Sequence, residues 1–260
     1  MHNMRILKTK LLFALASEYD FLRKTEGYEY KPYEFLYFRL SKFEQGSVRD
    51  AAIRLTRSGS LDKITRGNQS SFRLTGLGRE KLLNQLPVYR GQRKVWDRIW
   101  RIVIVEGMGS ESRQVGSSLG RLGYKRVARG VYVTPFSVSQ ETKSLFLAKK
   151  WQEKAQIIES RKMILGDDLK MARQLWQLDQ TGMGYLELIN KADRLLKLAR
   201  QNIVLLQQSK GGFKEVFDRY FYLLLKDPGL PRKLLPPDWQ ADKARELFSR
   251  LVVMAKTAGI

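Results

Sequence analysis

No apolar run is longer than Leu11-Leu12-Phe13-Ala14-Leu15-Ala16, inside a stretch, 5–17, whose spacing predicts a helix. That run is shorter than the ~7–15 residues of a secretory leader's apolar region and the ~20 of a membrane span. It therefore reads as the core stripe of a first helix in a soluble, cytoplasmic chain. A second helix is predicted over 32–43, with Pro32 at its start. A third follows Gly46 and covers 47–58, with Ser47 as N-cap, Asp50 as its capping-box partner and Gly59 as terminator. Val48, Ala51, Ala52 and Leu55 share one face of it; Arg49, Ile53, Arg54, Thr56 and Arg57 share the other. Two β-patterned runs, 61–65 and 71–75, flank the turn Arg66-Gly67-Asn68-Gln69, and a helix over 77–86 stops at Pro87. Three helices and then a hairpin are the order of a winged helix-turn-helix.

The basic stretch 88–98 reads as a linker. Trp100–Val105 is a buried strand, and Ser110 is a cap for a helix carrying Val115, Leu119 and Leu122. A strand or hairpin through Gly130 spans 124–134, followed by a helix at 138–152 and a strand at 155–164. This βαββαβ order is the ferredoxin-like plan. From Asp167 onward the pattern is helical, broken by a proline-rich turn at 227–239 and resumed over 241–254. The expected fold class is α+β in three consecutive domains. These are a winged helix-turn-helix (1–87), a central ferredoxin-like domain (88–165) and a helical C-terminal domain (166–260).

Charge sharpens this picture. The chain carries +22, distributed as +7 over 1–86, +10 over 87–165 and +5 over 166–260, with no low-complexity tail. A small domain needs only about 2–8 charges for solubility, so a phosphate polyanion is the expected partner. There is no cysteine, and the single histidine is His2. Thiolate zinc sites, disulfides and His-assisted nucleophiles are therefore excluded, and no cofactor is expected.

The arginine face of helix 47–58 suits a major groove, because a guanidinium fork can grip a guanine edge or a phosphate. The candidate DNA-binding residues are Ser47, Arg49, Ile53, Arg54 and Arg57 on the helix. The hairpin adds Lys63, Arg66, Asn68, Gln69 and Arg73, suited to the backbone or the minor groove. A plain solvated helix face is the competing reading; the basic hairpin directly after the helix tips the balance toward DNA.

The segment Ser47–Leu61 resembles the recognition-helix region of the phenylacetate-catabolon repressor (PaaX) family, and Arg66-Gly67 with Phe72-Arg73-Leu74-Thr75 resembles its wing. Trp100-Arg101-Ile102-Val103, Leu122-Gly123-Tyr124, Gly130–Pro135 and Leu175-Trp176-Gln177-Leu178 resemble later family segments. The most specific likeness is Asp227-Pro228-Gly229-Leu230-Pro231 with Leu234-Leu235-Pro236-Pro237-Asp238-Trp239, then Ala244 and Phe248. The resemblance implies a homodimeric repressor whose central domain is similar to the small CRISPR adaptation subunit. It also implies a small-molecule effector, an aryl-coenzyme A thioester in some members, although no ligand-contacting residue is matched. Where the family often has an Asp-Ile-Pro-Glu-like segment, this chain has Glu106-Gly107-Met108-Gly109.

Glu106 ends the first central strand and is the candidate metal ligand for an alternative function, a metal-dependent nuclease or a CRISPR-associated nucleic-acid-binding subunit. One carboxylate is thin for a divalent ion that wants several oxygen ligands, so no metal and no enzyme are expected. Glu111 and Asp167-Asp168 read as helix N-terminal acids. Trp100, Trp151, Trp176 and Trp239 read as core, whereas Trp96, among Arg90, Arg93, Lys94 and Arg98, reads as a linker residue able to touch nucleic acid.

Overall fold

The computed structural model describes residues 2–16, 28–89 and 95–259. By contact they group into two compact units. The first comprises Met1–Leu86, Gly182–Leu225 and Gln240–Ile260; the second comprises Pro87–Thr181 and Lys226–Trp239. Much of the C-terminal stretch thus packs with the N-terminal one. Among the described residues no helix is long and apolar enough to cross a membrane.

In the first unit, α1 (His2–Ala16) is the central element. Leu7, Leu11, Leu12, Phe13, Ala14, Leu15 and Ala16 are all buried, so the helix is wrapped on more than one side. Besides the neighbouring N-terminal elements, its partners come from α10 (Lys210–Lys226) and α11 (Ala241–Thr257). The Phe13 ring lies 5.1 Å from Phe217, 5.4 Å from Phe221 and 6.0 Å from Phe248. Offset and tilted ring pairs at such spacings add to the burial of their area. Helices α8 (Leu178–Gln201) and α9 (Ile203–Gln208) complete the C-terminal part, with Asn202 capping α9 by accepting from Val204 N–H at 2.9 Å.

Two cations are buried here. Lys10 is 0% exposed and meets Asp218 of α10 at 2.5 Å; Asp218 also meets the exposed Lys42 at 3.0 Å. Burial pulls the Lys10 ammonium below the usual lysine pKa, and its bond to Asp218 opposes that pull. Arg39, 1% exposed, lies among aromatic faces, 4.3 Å from Phe213 and 5.1 Å from both Phe35 and Phe217.

The remaining elements of this unit are β1 (Lys31–Pro32), α2 (Tyr33–Arg39), α3 (Gln45–Arg57), β2 (Leu61–Arg66), β3 (Gln69–Leu74) and α4 (Gly76–Gln85). The sheet order is β1-β3-β2, antiparallel throughout, with Arg66 opposite Gln69 across a two-residue turn. Pro32 ends a short strand and precedes the helix that it was expected to open.

The second unit carries β4 (Trp100–Val105), α5 (Ser112–Arg121), β5 (Lys125–Ala128), β6 (Val131–Thr134), α6 (Ser139–Ala148), β7 (Ala155–Ser160) and α7 (Asp168–Leu175). Its sheet order is β5-β6-β4-β7, all antiparallel. Val103, Val105, Val115, Leu119, Tyr124, Tyr132, Phe146 and Trp151 form the core between the sheet and its helices. The α5 start departs from expectation. A 3₁₀ turn at Gly109–Glu111 precedes the helix, so Ser110 lies in that turn and caps nothing. Glu111 accepts the Trp151 indole N–H at 2.8 Å. Asp167 does cap α7, accepting from Lys170 N–H at 2.7 Å, while Asp168 accepts the Trp100 indole N–H at 2.7 Å.

A second core in this unit holds Trp96, Trp100, Phe136, Ala172, Trp176, Leu178, Leu230 and Leu234. Trp96 is therefore packed edge-on against Trp100 at 5.8 Å, not presented as a linker aromatic. Its expected neighbours Arg90, Arg93 and Lys94 lie outside the described residues. The buried Val88 likewise belongs to the fold. The Asp227-Pro228-Gly229 turn closes on it: Asp227 accepts Gly229 N–H at 2.8 Å. Gly229 sits at φ +64°, and a Cβ there would stand 2.3 Å from the Val88 carbonyl oxygen, so the motif requires glycine.

Candidate nucleic-acid interface

Helix α3 begins at Gln45, two residues earlier than the sequence implies. Glu44 is the extended residue before it, and its carbonyl accepts Val48 N–H at 3.1 Å. Ser47 is thus inside the first turn and is not the N-cap. Asp50 turns outward and takes Arg54 Nε at 2.9 and 3.0 Å, an i,i+4 pair in place of a capping box. The far end follows expectation. Gly59 N–H donates to Thr56 and Ser60 N–H to Leu55, both at 2.9 Å, which closes a Schellman turn.

That closure delivers the chain straight into β2. The Thr75 hydroxyl donates to the Gly59 carbonyl at 2.7 Å and accepts Gly78 N–H at 3.0 Å, so one side chain ties the end of α3, the end of β3 and the start of α4. A Cβ on Gly78 would fall 2.0 Å from the Ser60 carbonyl oxygen, which shows how closely α4 backs this junction.

On α3, Val48, Ala51, Ala52 and Leu55 are buried, as expected. Arg49, Ile53 and Arg57 form an exposed line at i,i+4 spacing, Ile53 being 42% exposed. Arg49 donates from Nε to the Tyr37 hydroxyl at 2.5 Å and lies 5.8 Å from the Tyr33 and Tyr37 ring centres. These two tyrosines on α2 support the arginine and were not among the sequence candidates; their i,i+4 spacing and 5.5 Å stacking are the signal that marks them. Among the described residues Arg57 makes no ion pair.

The hairpin carries Lys63, Arg66, Asn68 and Gln69 exposed along and around its tip, whereas Arg73 is half-buried and already engaged. Arg73 meets Asp62 at 2.6 Å over the Tyr30 ring at 4.6 Å. Asp62 also accepts the Tyr30 hydroxyl at 2.5 Å, and these two bonds hold its carboxyl below the usual range. Arg73 thus braces the hairpin base, and Ser47 is half-buried; the other candidates lie open to solvent.

Glu106 lies elsewhere, in the second unit. It is exposed and lines a cleft of about 680 Å³ with Arg113, Arg126 and Arg129. Among the described residues no group of three or more His, Cys, Asp or Glu side chains is placed to hold a metal ion.

Residues 176–259 match the family described as PaaX-like protein C-terminal domain. The chain is 25% identical over 212 residues to the transcriptional repressor PaaX of Escherichia coli (strain K12), which covers 79% of this chain and 67% of that protein. Both similarities support the PaaX family. Among solved structures, the uncharacterized protein Rv0674 from Mycobacterium tuberculosis has a similar fold, with a TM-score of 0.52 and 19% identity over 84% of each chain.

Proposed function

Starting from that similarity to a transcriptional repressor, we propose that this chain is itself a cytoplasmic, sequence-specific DNA-binding repressor. The observation that carries the reading is the exposed Arg49-Ile53-Arg57 line on a helix whose opposite face is buried, locked by Thr75 to a hairpin with a basic tip. In this reading the three N-terminal helices and the hairpin act as a winged helix-turn-helix. Helix α3 enters the major groove with Ser47, Arg49, Ile53, Arg54 and Arg57, and Lys63, Arg66, Asn68, Gln69 and Arg73 follow the backbone. The Arg54–Asp50 pair is no obstacle. Both side chains are exposed, so water screens the pair and a phosphate or base edge can replace it.

The helix and the hairpin should fail differently when altered. Arg49→Ala or Arg57→Ala should cost about 1–3 kcal/mol on the operator and narrow its advantage over random duplex. Lys63→Ala and Arg66→Ala should weaken every sequence alike. Affinities of the four variants for operator and scrambled DNA decide this; wild-type behaviour in both Arg49→Ala and Arg57→Ala would remove α3 from the groove.

The second unit's strand order, β5-β6-β4-β7 with α5 and α6 as its crossovers, is read as the ferredoxin-like plan, similar to the small CRISPR adaptation subunit. We assign DNA reading to 1–87 and dimerisation to 88–165 and 166–260. One small winged helix makes few base contacts, while genomic specificity needs about 10³–10⁷ over random sequence. A C₂ dimer on a pseudo-palindrome with half-sites ~10 bp or a multiple apart supplies the remainder. Light scattering at micromolar concentration should return about twice the 30.2 kDa chain mass; a species that stays monomeric on operator DNA excludes the dimer. A small-molecule effector of unidentified chemistry is part of the proposal. The nuclease alternative gains nothing from the Glu106 cleft, whose other ionisable lining residues are arginines and a tyrosine.

A further inference from the structure

The +22 charge is not concentrated on α3 and its hairpin. Its largest share, +10, lies on residues 87–165. Part of that share converges on one concavity. The cleft of about 680 Å³ is bounded by the end of β4, the turn Gly107-Met108-Gly109, the start of α5 and the β5–β6 hairpin. Gly130 makes this wall possible: at φ +76° it lets the hairpin pass so close to β4 that a Cβ would stand 2.4 Å from the Val105 carbonyl oxygen.

Arg113, Arg126 and Arg129 line the cleft and are exposed, and Glu106 is the only acid among the lining residues. Among the described residues none of the three arginines has a carboxylate partner. Arg126 spends only its Nε, donating to the Ala128 carbonyl at 3.1 Å, which steadies the side chain and leaves the two terminal nitrogens of the fork. The strand that carries it, β5, is an edge strand exposed along all four residues, with Lys125 beside it and a register shift between Arg126 and Ala128. Like charges held in one concavity repel, and an anion relieves that repulsion. Guanidinium forks match phosphate oxygens in pairs. The volume exceeds one phosphate group, and the open edge strand beside it allows an extended polyanion to run through.

We propose that this cleft is a second DNA contact, which takes the phosphodiester backbone through Arg113, Arg126 and Arg129 without reading base sequence. The proposal rests on the reading of the chain as DNA-binding, but on different residues. Its test is a salt titration of affinity for a 30-bp operator duplex and a scrambled duplex. The proteins compared are wild type, the full-length triple variant Arg113→Gln/Arg126→Gln/Arg129→Gln, and the single variant Glu106→Gln. About 0.9 units of log–log slope accompany each phosphate contact in B-DNA. The triple variant should therefore lose about 2–3 units of slope on both duplexes while keeping its operator preference. Glu106→Gln, which removes the lone negative charge, should tighten both duplexes several-fold at low salt. Circular dichroism and a denaturation midpoint matching wild type show that the triple variant is folded; if it is not, Glu106→Gln alone decides.

An unchanged slope in a folded triple variant overturns the proposal, as does Glu106→Gln binding identical to wild type. An unchanged slope together with stabilisation of wild type but not the triple variant by pyrophosphate would also overturn it, and would give the cleft to a small phosphate ligand. Failure of the α3 reading looks different: Arg49→Ala and Arg57→Ala bind like wild type while the triple variant still loses slope. A wild-type protein that binds neither duplex overturns both.

Discussion

Raising salt from 50 to 200 mM should weaken binding of this chain to its operator by about 10³-fold or more. The magnitude follows from counterion release: six neutralised phosphates give a slope near −0.9 per contact, so affinity falls steeply with each doubling of salt. The structure offers the cations needed. Arg49, Arg57, Lys63 and Arg66 are all exposed, and only Arg54 and Arg73 of the proposed basic contacts are paired with a carboxylate. Fluorescence anisotropy on operator and scrambled duplex measures it directly. Random duplex should show a comparable slope at lower affinity, because the phosphate contribution ignores sequence. A response that stays flat across that range would end the DNA-binding reading, whatever the affinity.

The second large effect concerns stability. Asp218→Ala should destabilise the first unit by about 3–5 kcal/mol, because it leaves the ammonium of Lys10 buried without its counter-charge. Lys10→Met should do less harm, since Asp218 keeps Lys42 at 3.0 Å, on the side where that lysine reaches water. The pH dependence carries a definite sign. Burial holds the folded-state pKa of Lys10 below its ordinary value, so the unfolded chain keeps this proton to higher pH than the folded one. Stability therefore rises with pH between the folded and unfolded pKa values. Without Asp218, whose hydrogen bond and charge oppose the shift, the folded-state pKa falls further. The deficit of Asp218→Ala should accordingly narrow as pH moves from neutral into the alkaline range. Urea denaturation of both variants at several pH values tests this. A loss below about 1 kcal/mol, or a deficit that grows with pH, would refute the account of the pair.

Local pattern located most elements and missed what depends on distance. Strand β4 and the faces of α3 were legible because burial follows the period that each element imposes, and β5 and β6 because Gly130 marks the turn between them. Caps were not. Ser47 with Asp50, and Ser110 before α5, have the right residue types, yet Glu44 and the 3₁₀ turn begin the chain's helical path elsewhere. Composition alone does not say which of several adjacent polar residues leaves the helix. Trp96 was misread for a related reason: its sequence neighbours are basic, but its burial is decided by Trp100, Phe136 and Leu230, none of them adjacent to it in sequence. Arg73 looks free beside the hairpin tip until β2 brings Asp62 opposite it. The packing of α1 on the last helices was equally invisible, because no periodicity in α1 announces that its apolar sides await α10 and α11.

Phe13 has a consequence for how the chain comes off the ribosome. Its ring neighbours Phe217, Phe221 and Phe248 are translated long after it, once all of residues 87–181 has been made. The unit that carries α3 and its hairpin is thus interrupted in synthesis by the whole of residues 87–181. Until α11 emerges, α1 has only part of its cover, and the nascent chain carries an unsealed aromatic surface through most of its synthesis. A fragment cut at residue 86 would retain that surface permanently, so α3 and its hairpin, which pack with α1, are not a portable cassette that can be grafted away from the distant helices that cover α1.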